Sequence, residues 1–271
     1  MGKDEQESNV VEQGNLPDLS PTTADYVSSA VKSLVGAVPF VGSLMAEIAG
    51  TIIPNQRMER VIDYAKRLEE RLSGLDQDLI RSKLTDENFT DLMEEGMRQA
   101  ARSLTDERRE YIASIIATGL SSEDIEFIES KHLLRLLGEL NDIEVLILRF
   151  YLNPFLSGDD EFREKHKSVV RPKSAYIGCP QEVADKATLH GSYRSHLASL
   201  GLLESCYRED RKTGLPAFSS VRHTFERSGY ELTSLGRLLL HQIGLGEDDP
   251  LRPNRPSIEV EAGDASCPKD Q

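Results

Sequence analysis

The chain has 271 residues, of which 38% are hydrophobic and 29% charged, an ordinary globular balance that excludes wholesale disorder and is long enough for one large core or two modest ones. Its formal net charge is −14, which excludes a protein that attracts nucleic acid over its whole surface. Trp is absent and aromatic residues make up 6%, which points to helices rather than to the aromatic-rich strands of a β-sandwich.

The charge is unevenly placed. Residues 1–130 hold 13 Lys/Arg against 25 Asp/Glu, residues 131–246 hold 16 against 14, and residues 247–271 hold 3 against 7. The first part should repel free nucleic acid, while the near-neutral middle leaves room for a local basic face. Cys179, Cys206 and Cys267 include no CxxC pair; a secreted disulfide framework is not expected, and a cytoplasmic setting is. The acidic, polar N-terminus MGKDEQESNVVEQGN resembles neither a secretory signal nor a transit peptide. Gln6 stands where a myristoylation motif after Gly2 requires Ser or Thr.

In chain order, residues 1–24 are polar, contain Pro17 and Pro21, and read as a disordered arm. The most apolar stretch follows at 26–53 and has no charge between Ser33 and Ala46. Gly42, Ala46 and Gly50 are four residues apart, so a helix would align them as a small-residue stripe that another helix can approach closely. Pro39 divides the segment. Its uncharged part is 14 residues long, short of the roughly 20 that cross a bilayer as one helix. A buried helical hairpin is the favoured reading, with membrane contact through 26–53 as the alternative.

Met58, Val61, Ile62, Ala65, Leu68 and Leu72 then recur at three- and four-residue steps, the face of an amphipathic helix. Three more helices are expected behind the polar start signals Thr85, Thr105 and Ser121, the second of them ending at Gly119. Residues 25–139 thus read as an acidic helical domain. Asn141 and Glu144 form a capping-box pattern that opens NDIEVLILRFYL, and Asn153–Pro154 closes it. A charged loop, 155–178, leads to a short helix from Pro180.

The clearest pattern comes next. TLHGSYRSHLASLGLLES reads as a helix that ends at Gly201 and runs into a strand. ESCYRED, a turn at RKTGLP and FSSVRHTFERSGYEL read as a ribbon, and TSLGRLLLHQIG as a closing helix capped by Thr233. HLASLGLLE and YELTSLGRLLL resemble the end of a recognition helix entering a wing and the return from it, so 140–246 resembles a winged-helix domain. The expected fold is mainly α, an N-terminal helical bundle followed by a C-terminal winged-helix (α+β) domain. Residues 247–271, with four prolines, read as a disordered tail.

No metal, nucleotide or nucleophile motif appears. The histidines show no HxxxH or HExxH spacing, and GxxxxGK[ST], GxGxxG and GxSxG are absent. No catalytic, cofactor-binding or metal-binding residues are expected, and no cofactor. Cys179, before Pro180, reads as an inert thiol. The cations that could meet nucleic acid or another anion are Lys165, Lys167, Arg171, Lys173, Arg194, Arg208, Arg211, Lys212 and Arg222. Only Arg194 lies on the expected recognition helix, which is fewer cations than a dedicated DNA reader offers where phosphates lie.

The small-residue-rich apolar segment before an amphipathic helix, the REYIASIIATGLS helix and the terminal YELTSLGRLLL together resemble the bacterial abortive-infection alpha family over about residues 30–245. That resemblance implies a part in phage defence and supplies no catalytic residues. The expected function is a non-enzymatic bacterial interaction protein, cytoplasmic or membrane-associated, whose helical half binds a protein partner, self-associates or touches membrane. The alternative is a winged-helix DNA-binding transcriptional regulator.

Overall fold

The computed structural model describes residues 42, 45–47, 57–83, 86–121, 127–153, 159–210, 213–220 and 223–246. Among them the elements run α1 (Met58–Leu72), α2 (Gln77–Lys83), α3 (Glu87–Arg102), α4 (Asp106–Ser121), α5 (Phe127–Glu139), α6 (Asp142–Phe150), α7 (Asp160–Lys165), α8 (Lys167–Val170) and α9 (Gln181–Ser199). There follow β1 (Leu203–Tyr207), β2 (Phe218–Ser219), β3 (Thr224–Phe225), β4 (Arg227–Leu232) and α10 (Ser234–Gln242).

The periodicity of α1 decides its burial: Met58, Val61, Tyr64, Ala65, Leu68 and Leu72 are all buried. In α3 the buried stripe is Phe89, Leu92, Met93, Gly96, Met97, Ala100 and Ala101. Helix α4 is different. Ile112, Ala113, Ile115, Ile116, Ala117 and Leu120 are buried around most of its circumference, as required of the helix at the centre of a bundle. Helices α1, α3 and α5 pack against it. The close approach of α3 to α4 depends on Gly96, where an added Cβ would collide with Ile116 and press on the Tyr64 hydroxyl. Among the described residues that hydroxyl has no hydrogen-bond partner, and complete burial pushes its pKa far up.

Ion pairs fasten the rim of α1 to α4. The Arg67 guanidinium donates to Asp63 Oδ2 (3.0 Å) and to Glu110 Oε2 (3.1 Å), Arg71 Nε donates to Glu110 Oε1 (2.8 Å), and Arg109 Nε to Asp63 Oδ2 (2.5 Å). Partial burial would raise the Asp63 pKa, but hydrogen bonds from Arg67 and Arg109 outweigh it and hold the carboxyl below its ordinary value.

Helix starts follow side-chain chemistry. Asn141 Oδ1 accepts from the Glu144 N–H (2.9 Å) while Glu144 Oε2 accepts from the Asn141 N–H (2.9 Å), completing the expected capping box. Thr233 Oγ1 accepts from the Gly236 N–H (3.0 Å) and donates to the Gly201 carbonyl (2.7 Å), so one hydroxyl starts α10 and ties it to the end of α9. Gly236 packs so tightly on the Leu202 carbonyl oxygen that a Cβ there would collide with it.

The buried apolar cluster is continuous. It runs from Met45 through α1, α3, α4, α5 and α6 to Leu197, Leu202, Leu203, Leu239, Leu240 and Ile243, and α10 packs on both α4 and α6. The helical half and the C-terminal part share one core.

Several expected boundaries move. The cap of α3 is Asp86, whose Oδ1 accepts from the Asn88 N–H (2.8 Å); Thr85 lies outside the described residues. Helix α4 runs past Gly119 to Ser121, because Gly119 gives close contact with Ser130 of α5 rather than a helix end. The expected loop 155–178 contains α7 and α8, and the two helices expected on either side of Thr188 are one, α9. Helix α2 had no expected counterpart. Of the small-residue stripe, Gly42 and Ala46 are buried, with Met45 beside Ala46 in the core, while Gly50 lies outside the described residues. Among the described residues no helix is long and apolar enough to cross a membrane.

Candidate interaction surface

Helix α9 has 19 residues, yet only His190 and Leu197 are buried. Its C-terminal half is seated on α6 and runs into β1. Its N-terminal half is bare: Gln181, Glu182, Asp185, Lys186, Thr188 and Leu189 are exposed, Leu189 by 53%. The approach to α9 is equally uncovered, with Tyr176 and Ile177 at an exposed turn that Gly178 closes at φ +84°.

The anchored half is held by polar contacts. His196 Nδ1 lies 2.7 Å from Glu144 Oε1, so the buried carboxylate that caps α6 also receives α9. Arg194 Nε donates to His190 Nδ1 (3.0 Å), which leaves the imidazole proton on Nε2. Burial and the Arg194 charge hold the His190 pKa below its ordinary value, against a countering backbone hydrogen bond at Val169. Burial raises the Tyr151 pKa, and the nearby Arg194 partly restores it. The one cation of the expected recognition segment is therefore turned into the body of the protein.

The remaining candidate cations divide. Arg171 is stacked 5.2 Å from the Phe150 ring, and Lys167 pairs with Glu164 at 3.2 Å, both ends being exposed. Lys165 and Lys173 are exposed. Arg208 is exposed and 3.6 Å from Glu226. Arg211, Lys212 and Arg222 lie outside the described residues. Two further arginines are structural. Buried Arg149 on α6 donates to Asp159 Oδ2 (2.5 Å) and Oδ1 (3.1 Å) and lies 4.7 Å over the Phe162 ring, while Arg163 donates to the Asn153 carbonyl (2.6 Å). These contacts staple 159–171 to α6.

The ribbon begins as β1 paired antiparallel to β4, Leu203 opposite Leu232, with an irregularity between Cys206 and Tyr207. Cys206 is buried, whereas Cys179 is a free, partly exposed thiol. Beyond Tyr207 the chain makes a second small hairpin, with Phe218 opposite Phe225 and Ser219 opposite Thr224. The hairpins are joined where the Ala217 N–H donates to the Arg208 carbonyl (2.7 Å) and the Glu226 N–H to the Ala217 carbonyl (2.8 Å). At this junction Tyr207 and Phe225 meet edge-on at 6.0 Å and Phe218 and Phe225 at 5.5 Å. The three rings are 43%, 51% and 57% exposed for Tyr207, Phe225 and Phe218, and Leu215 beside them is 65% exposed. A clustered, half-exposed aromatic face is a recurring mark of a binding site.

The aromatic face was not among the expected site residues. Its signal was faint: Tyr207, Phe218 and Phe225 are spread over 19 positions, and only the hairpin register brings them together. Among the described residues no group of three or more His, Cys, Asp or Glu side chains could hold a metal ion. The protein is mainly helical, with a small antiparallel ribbon near its C-terminus, an exposed helix face on α9 and an aromatic hairpin. Compared with known protein families, with curated proteins and with solved structures, the chain matches none.

Proposed function

We propose that the chain is a non-enzymatic interaction protein whose C-terminal part, 140–246, is a winged helix turned toward a protein partner rather than toward DNA. The winged-helix reading is supported by the order of α6, the α7–α8 pair, α9, β1, the hairpin, β4 and α10, and by the seating of α9 on α6. The observation that carries the choice of partner is Arg194. A DNA reader presents cations where phosphates lie, whereas Arg194 is engaged with His190 and Tyr151. The bare half of α9 offers Glu182 and Asp185, with Lys186 already 2.6 Å from Glu182. Exposed Tyr and Phe side chains beside arginines are the composition of protein-binding hot spots.

The resemblance to abortive-infection alpha proteins supplies phage defence as the setting. Membrane contact through 26–53 has less support, since Gly42 and Ala46 are packed inside the protein's own core.

Titration of the purified chain with duplex DNA at low salt tests the choice. No shift is expected; a salt-dependent shift abolished by Arg208→Ala together with Lys173→Ala would overturn it in favour of a DNA-binding regulator. In cells challenged with phage, Phe218→Asp is expected to abolish protection at unchanged protein level, and full protection by that variant would remove the ribbon from the function.

A further inference from the structure

The anchored half of α9 carries two histidines whose neighbours are opposite in charge. His190 is 6% exposed, and its Nδ1 accepts from Arg194 Nε (3.0 Å) and faces Arg194 Nη2 at 2.6 Å. That contact exists only while Nδ1 keeps its lone pair. The other edge of the ring faces the backbone of α8 at Val169. His196, further along the same helix, has its Nδ1 2.7 Å from Oε1 of Glu144, the buried carboxylate that caps α6. The remaining groups around His190 are not acids. On α8 Lys167 is turned to Glu164 (3.2 Å) and Arg171 to the Phe150 ring. Tyr151, after α6, is near Arg194 and meets Tyr230 of β4 edge-on at 6.5 Å, and Arg227 reaches the Tyr230 hydroxyl. Among the described residues no carboxylate acts on His190, and the charge that does is Arg194.

We infer that His190 is an acid-opened latch on Arg194: protonation of Nδ1 breaks their contact and frees the guanidinium for nucleic-acid phosphates in front of α9. This goes beyond the protein-facing reading and rests on its premise that Arg194 is withheld in the closed state. A protonated Nδ1 is a donor with a positive charge, so it can neither accept from Arg194 nor hold a guanidinium at 3.0 Å. Burial and the Arg194 charge both disfavour the charged ring, and the pKa lies below its ordinary value of 6.5, which keeps the latch closed at neutral pH. His196 responds in the opposite sense. Protonation turns its contact with Glu144 into an ion pair, which holds α9 on α6 while Arg194 lets go. Leu197 beside it is fully buried and takes no part in the titration. Arg194 is the partner that moves, being half-buried where His190 is buried. Acid thus changes what the helix presents without lifting the helix from its seat.

Nuclear magnetic resonance of the full-length chain, taken from neutral pH into the acid range, tests the latch directly. The Arg194 Nε–H signal, assigned by its absence in Arg194→Lys, is expected to be protected from exchange at neutral pH. It should be lost with the same midpoint as the His190 ring titration, below pH 6.5. In His190→Gln, whose amide oxygen still accepts from Arg194 and takes up no proton, the signal should persist. In His190→Ala it should be lost at every pH. Titration of the same proteins with duplex DNA at low salt reads the consequence. The wild type should gain affinity several-fold on acidification, a gain that shrinks in His190→Gln and in Arg194→Gln. An Arg194 signal that does not follow the His190 titration overturns the inference. So does a chain that unfolds, by circular dichroism, before His190 takes up its proton, or an acid gain kept in full by Arg194→Gln. DNA binding by the wild type at neutral pH would instead sink the protein-facing reading, and the two signals would still decide the latch.

Discussion

The bundle α1–α5 and the α9–ribbon segment are built from similar residue types and use them in opposite ways. In the bundle Phe89, Leu92, Met97 and Tyr64 are fully buried, and glycines such as Gly96 are spent on bringing helices into contact. In the ribbon Tyr207, Phe218 and Phe225 stay half exposed and pack on one another. Even the arginines differ. Arg67, Arg71 and Arg109 lock α1 to α4, whereas Arg208 stands on the surface with a loose 3.6 Å partner. The contrast separates residues that keep the protein folded from residues that are free to be covered by something else.

The contrast breaks or sharpens under substitution. The largest effect is expected for Phe89→Ala, about 3–5 kcal/mol in chemical denaturation by the usual cost of emptying a buried aromatic site. Arg149→Ala comes close, at about 3–5 kcal/mol, because it breaks a buried ion pair. It should also raise amide hydrogen exchange across 159–171 while sparing α1–α4. A change confined to global stability, with no local loosening of 159–171, would show that the pair does not staple that segment.

Smaller effects test the hinge between the two regions. Burial, and then the Arg194 charge, hold the His190 pKa below its ordinary value of 6.5. A histidine with a depressed folded pKa contributes stability that is present above the unfolded pKa and is lost as pH falls through and below it. Melting temperature should therefore decline below pH 6.5, and less so in His190→Gln. Equal declines in both proteins would place the acid sensitivity elsewhere. The smallest effect is expected for Phe218→Ala, within about 0.5 kcal/mol, as for a surface side chain. A loss of several kcal/mol there would mean that the aromatic face supports the fold and erase the contrast drawn above.

Much of the framework was legible because it depends on local chemistry. The 3- and 4-residue spacing of Met58, Val61, Ala65, Leu68 and Leu72 fixed the buried face of α1. The Asn141–Glu144 box and the Thr233 cap needed only neighbouring residues and stand where expected. The pairing of β1 with β4 and the closing helix α10 followed from turn residues and alternation, whereas α7, α8 and the single long α9 did not. The sequence also established the polarity of charge along the chain, which is a matter of counting.

Tertiary structure alone decided the rest. Whether Gly119 ends a helix or makes room for Ser130 depends on what lies opposite, and the packing of α4 against α5 chose the second. Arg194 reads in sequence as a cation free for phosphate; its engagement with His190 and Tyr151 comes from the seating of α9 on α6. Tyr207, Phe218 and Phe225 became one surface only through hairpin register. Local preference is set by neighbours along the chain, while a binding face is set by neighbours in space, and these come from distant positions that no short-range pattern connects.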